Sequence, residues 1–146
     1  MSRLRHDMIF INLPVADLAA ARTFYAGLGF TENEIVRDEH TASFEVSDSI
    51  VVMVLESSRF REFSDRPVIG PGGPREVLNC LSVSSVADAD ELARRAVAHG
   101  GAITRDFVTE GPMYGGAFDD PEGHGWEVMY FDPEALEQLQ ADHTGL

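Results

Sequence analysis

The chain repeats itself at about half its length, and a repeat of that kind asks for two copies of one supersecondary unit. Val15-Ala16-Asp17-Leu18 aligns with Val83-Ser84-Ser85-Val86, 68 residues further on, whereas Phe44 and Met53 align with Phe118 and Glu127, 74 further on. A second anchoring sets Val15-Ala16-Asp17 on Val86-Ala87-Asp88 at an offset of 71, so the register near the helix start is open by one turn. The drift points to a second helix about one turn longer than the first and to altered loops.

Each half reads β-α-β-β-β. Met8 to Leu13 is a β-rich run stopped by Pro14, and Asp17 stands where a helix N-cap belongs. Leu18, Ala21, Phe24, Tyr25 and Leu28 then recur at helical spacing, and Gly29 is placed to end the helix. Extended runs follow around 31–36, 41–46 and 50–55, with a turn at Ser47-Asp48 between the last two. In the second half, 77–83 is strand-like, and Ser85 with Asp88 begins a helix that ends at Gly100-Gly101. Extended runs at 103–108, 113–119 and 126–131 complete it. The expected organisation is α+β: one domain with module one at about 7–57, a linker at about 58–75, module two at about 76–133 and an acidic helical tail at 134–146.

Composition narrows the partners. A chain of 146 residues with 44% hydrophobic content is long enough for one ordinary core. Eleven Arg, no Lys and twenty-five acidic residues give a formal charge of −14, which repels phosphate backbones and anionic membranes, so neither nucleic acid nor membrane is an expected partner. The missing Lys is compatible with codon bias. The first apolar run is too short for a signal sequence, and none approaches the ~18–20 residues of a membrane span. A single Cys80 forbids an intramolecular disulfide and agrees with a cytoplasmic location. The GPGGP stretch at 70–74 has no Lys-Ser/Thr sequel and is not a phosphate loop.

INLPVADLAAARTFYAGLGF resembles the opening module of vicinal-oxygen-chelate proteins, the glyoxalase, bleomycin-resistance and extradiol dioxygenase superfamily. FDDPEGHGWEVMYF resembles their closing strand, and the likeness covers about residues 7 to 133. It implies tandem βαβββ modules forming a curled mixed sheet around a cavity with helices outside, paired within a chain or across a homodimer. The functions it implies range from lyases and dioxygenases to drug-binding proteins without catalysis.

Enzymes of this kind place metal ligands on the first and last strand of each module. The corresponding positions are Phe10 and Met53, then Leu78 (Leu81 in the other register) and Glu127. Only Glu127 is a ligand for a hard divalent ion, so the standard metal site is expected to be degenerate, with no cofactor required. His124, three residues before Glu127, points oppositely on entering a strand and reads first as a turn residue and only second as a metal donor.

The resemblance therefore implies a largely apolar pocket for a small organic ligand. Phe10, Asn12, Met53 and Leu55 would line it from module one, and Leu78, Cys80, Tyr114 and Met129 from module two. Cys80 reads as a buried, inert thiol and Tyr114 either as a pocket residue or as rim packing. Glu127 is either an acid-base group, its protonated form favoured by desolvation, or a structural carboxylate neutralised by an Arg or by Asn12. His40 beside Asp38 and Glu39 reads as surface. Phe60 and Phe63 in the linker are either a lid or an amphipathic turn over the sheet. The function expected is small-molecule binding, with metal-independent acid-base chemistry open at Glu127; the alternatives are a metal-dependent lyase or dioxygenase with displaced ligands and a non-catalytic resistance protein.

Overall fold

The computed structural model describes residues 3–144, so residues 145 and 146 of the expected tail lie outside them. The chain divides into two compact units. One runs to Pro74 and includes Pro121–Gly123; the other comprises Arg75–Asp120 and the chain from His124 onward.

The first unit holds β1 (Ile9–Val15), α1 (Leu18–Gly27), β2 (Thr31–Glu32), β3 (Thr41–Glu45), β4 (Ile50–Glu56) and α2 (Ser57–Phe60). Its four-stranded sheet has the order β1-β4-β3-β2, with β1 parallel to β4 and the other pairs antiparallel. β1 continues through Pro14 rather than stopping before it. An edge strand has one side free of ladder bonds, so a missing N–H is tolerated there.

Alternation along the strands separates two faces. Leu13, Val15, Val52, Val54, Ala42 and Phe44 are buried on the face that meets Leu18, Ala21, Phe24 and Tyr25 of α1. The ring of Tyr25 lies 5.0 Å from Phe24, edge to face, and 6.0 Å from Phe44. Such pairs contribute about 0.5–1.5 kcal/mol beyond the area they bury. The other face carries Phe10, Asn12, Val51, Met53, Leu55, Ser43 and Thr41.

The second unit repeats the plan with β5 (Leu78–Ser82), α3 (Val86–Ala98), β6 (Ala102–Glu110), β7 (Met113–Asp119) and β8 (Gly125–Phe131), in the order β5-β8-β7-β6. β5 is parallel to β8, and α4 (Pro133–Thr144) follows. Its core contrasts with the first. α3 buries only Ala89 and Ala96, while the sheet supplies Trp126, Phe118 and Val128, all fully buried, so large sheet side chains meet a small-residue helix face. Truncating Phe118 or Trp126 to Ala would cost about 3–5 kcal/mol.

The helix ends settle the repeat register. Asp17 accepts a hydrogen bond from Ala20 N at 3.0 Å, and Ser85 accepts one from Asp88 N at 3.0 Å, so the two N-caps stand 68 residues apart. Past the other ends, Gly29 and Gly100 both adopt positive φ, 103° and 104°, and stand 71 apart. The extra residues lie inside α3, which has 13 residues against 10 in α1. The offset of 68 is therefore the correct one at the helix start, and the anchoring of Asp17 on Asp88 is not; the offset of 71 holds only past the helix ends.

Candidate ligand face on the second sheet

The face of the second sheet turned away from α3 is built in rows read across β6, β7 and β8. Arg105 pairs with Ala117, which pairs with Glu127, which pairs with Cys80 of β5. The next row is Val108, Gly115, Met129 and Ser82, and beyond it come Glu110, Met113 and Phe131. The middle strand thus contributes Ala117 and Gly115 where its neighbours carry long side chains. The result is a trough whose recess is lined by Arg105, Val108, Glu110, Met113, Gly115 and Met129.

Two irregularities in β6 make this face. Ile103 pairs with Phe118 but Arg105 with Ala117, and a second register shift separates Arg105 from Val108. Each bulge inserts a residue and reverses the side-chain parity beyond it. Ile103 and Arg105 therefore fall on opposite faces although two apart, whereas Arg105 and Val108 share one although three apart. Phe107 is sent to the α3 side, where its ring occupies the space a Cβ on Gly116 would need.

Arg105 reaches along its row, over Ala117, and Nη2 donates to Oε2 of Glu127 at 2.7 Å. Adjacent strands are about 4.8 Å apart, so the side chain spans two spacings, which a larger residue at 117 would obstruct. The Glu127 side chain keeps 24% of its exposure and that of Arg105 44%. The carboxylate is not isolated among apolar groups, since the Arg105 guanidinium is bonded to it. At one end of the same face, Arg75 Nη2 donates to both Asp119 oxygens at 2.8 and 2.9 Å, its guanidinium covering Gly125.

Leu78, Cys80, Glu127 and Met129 share this face, and Phe10, Asn12, Met53 and Leu55 share the corresponding face of the first sheet. Leu55 is buried there, while Phe10 and Asn12 are exposed. Two expectations are corrected. Cys80 is exposed rather than buried, although partial desolvation and the neighbouring Glu127 charge still hold its thiol above the ordinary range. Tyr114 does not line the trough: it lies on the α3 side of β7, and its hydroxyl donates to the carboxylate of Asp90. The residue count along β7 puts Tyr114 with Gly116 and Phe118, opposite Gly115 and Ala117. His124 closes the turn before β8, its N–H donating to Asp120 Oδ1 at 2.9 Å and its carbonyl accepting from Asp120 N. Phe63 of the linker is exposed, and α2 packs on β1 and β4.

A family model of the Glyoxalase/Bleomycin resistance protein/Dioxygenase superfamily matches residues 7–128. The chain belongs to that superfamily. Among solved structures, the hypothetical protein SA1046 from S. aureus is 26% identical, with a TM-score of 0.74 over 88% of this chain and 95% of its own. A glyoxalase-related enzyme from Fulvimarina pelagi is 24% identical, with a TM-score of 0.71 over 83% and 85% of the two chains. Lactoylglutathione lyase from Agrobacterium tumefaciens is 18% identical, with a TM-score of 0.65 over 88% and 96%. At such identities the last two show a shared fold and no shared chemistry. No match is found among functionally curated proteins.

Membership makes the superfamily's metal positions testable against the donors present. The N-cap register makes Leu78 the counterpart of Phe10, and pairing of Asn12 with Met53 and Cys80 with Glu127 makes Met53 and Glu127 counterparts. Phenyl and isobutyl groups donate nothing, a thioether is a poor ligand for hard cations, and the one carboxylate is already bonded to Arg105. This donor set does not fit a divalent ion. Among the described residues, no three His, Cys, Asp or Glu side chains are grouped to hold one elsewhere, and no helix is long and apolar enough to cross a membrane.

Proposed function

We propose that this superfamily member binds a small organic molecule against the open face of the second sheet, with Glu127, oriented by Arg105, as the polar group the ligand meets. The observation that carries the reading is the row Arg105, Ala117, Glu127: a bonded ion pair spanning a trough beside Val108, Met113 and Met129. Apolar walls with a few fixed polar groups are the usual composition of a small-molecule site. The single cysteine supports a reducing, cytoplasmic setting, and the superfamily resemblance supports a homodimer.

A broad thermal-shift screen tests the reading, because any ligand that binds only the folded protein raises its melting temperature. At least one class of small molecule is expected to stabilise the wild type, and Glu127→Gln to weaken that response. If nothing in the screen stabilises the protein, the proposal fails. If Glu127→Gln leaves affinity intact and abolishes turnover of the ligand found, Glu127 works as a proton acceptor instead of an anchor.

A further inference from the structure

We infer that the trough selects an uncharged ligand presenting a hydrogen-bond acceptor and a donor side by side, of the carboxamide class, over carboxylates and amines. The inference rests on the site proposed above and specifies what that site reads.

The ion pair is monodentate. Oε2 of Glu127 takes one bond from Nη2 of Arg105, and among the described residues neither Oε1 nor any other guanidinium N–H has a protein partner. An acceptor and a set of donors therefore stand next to each other on a face that stays open to solvent. A carboxamide answers both at once: its carbonyl accepts from Arg105 while its N–H donates to Oε1. Leaving either group without a partner under a bound ligand is what such a site penalises.

Charge removes the nearest competitor. The face carries two guanidinium groups, Arg75 and Arg105, and both are already held by carboxylates, Asp119 and Glu127. Glu110 lines the recess with no ion-pair partner among the described residues, so over this face the three carboxylates Asp119, Glu127 and Glu110 stand against the two guanidinium groups, in a protein of formal charge −14. An anionic ligand would compete with Glu127 for Arg105 and strand a carboxylate beside a like charge. A cationic ligand would satisfy Oε1 but face the unused donors of Arg105. Val108, Met113 and Met129 are left to cover an apolar body.

Three matched probes test this: benzamide, benzoate and benzylamine, titrated into the protein carrying methyl-labelled methionine, with the Met113 and Met129 signals followed by NMR. Benzamide is expected to move both signals with a Kd about tenfold below that of either charged probe. In Glu127→Gln, the acceptor at Oε1 becomes a donor and one negative charge is lost, so benzoate should overtake benzamide. Should that variant not fold, Arg105→Gln is expected to abolish the preference for benzamide. Benzoate or benzylamine binding the wild type as tightly as benzamide overturns the ligand class while leaving the site in place. An unchanged probe order in the variant overturns the role given to the pair. If no probe moves either methyl signal, the site and the inference fall together.

Discussion

Arg105 and Glu127 meet at 2.7 Å across a strand that belongs to neither of them, because Ala117 between them is too short to keep them apart. The pair is partly exposed, and such pairs contribute only about 0–1 kcal/mol. Arg105→Gln should therefore lower the unfolding free energy by less than about 1 kcal/mol in urea titrations. The same variant should lose most of the ligand-induced thermal shift. Ala117→Leu, which fills the middle of the row, should have the same effect on ligand response with a larger loss of stability.

Two glycines on the trough separate strain from mere crowding. A Cβ on Gly115 would collide with the carbonyl of Val128, a backbone atom that can yield only by distorting the sheet. At Gly125 it would meet the guanidinium of Arg75 and the tip of Leu78, both of which can swing aside. Gly115→Ala is expected to cost about 1–3 kcal/mol. Gly125→Ala should cost under about 1 kcal/mol, since the Arg75 ion pair it disturbs is at the surface.

The N-caps offer a paired test of the repeat. Ser85→Ala removes the acceptor for Asp88 N and Asp17→Ala that for Ala20 N. Each should destabilise by about 1 kcal/mol, lowering the melting temperature by about 3 °C. An effect confined to one of the two would deny that they are equivalent.

His40 Nδ1 lies 2.8 Å from Glu56 Oε2, and this hydrogen bond holds the imidazolium above the ordinary histidine range. The folded-state value is the higher one, so the pair's stabilising contribution is complete below the unfolded value of 6.5 and disappears as pH rises through the folded value. Imidazole NMR titration should place the His40 midpoint above 6.5, and Glu56→Gln should lower it.

Tyr114 tests the assignment of faces. Tyr114→Phe removes the bond to Asp90 and should cost about 1 kcal/mol or less. Because the side chain lies on the α3 side, ligand response should be unchanged; a loss of binding would place Tyr114 on the trough after all.

The sequence shows most of the architecture because periodicity and caps are local. Leu18, Ala21, Phe24 and Tyr25 declare the buried face of α1, and Asp17 and Ser85 mark helix starts through bonds reaching only three residues. The 31–36 run shortens to Thr31–Glu32, paired with Glu45 and Phe44; Asn33 N makes a last bond to Ser43 O at 2.8 Å before the chain turns at Glu34-Ile35. Glu127, Met129, Leu78 and Cys80 share a face because β5 and β8 alternate without interruption. Arg105 was hidden for the opposite reason. Strict alternation separates it from Val108 and Glu110, and the two bulges that bring them together occur in Ile103 to Val108 without a glycine to announce them. Tyr114 was misjudged where its neighbour Gly115, lacking a side chain, gave no clue to which face was open.

Glu122 lies near the far end of the chain, yet its carboxylate accepts from the N–H groups of Ala16, at 2.7 and 2.8 Å, and Asp17, at 2.8 Å, and its carbonyl accepts from Gly72 N. The boundary of the first compact unit is thus not the boundary of the first repeat. A gene cut at the linker would deliver a fragment with every strand and helix of its module but with the Ala16 and Asp17 amides bonded to water in place of the Glu122 carboxylate. The duplication can be read as two copies, but a cut at the linker does not reproduce the first compact unit, which keeps Pro121–Gly123 from the second repeat.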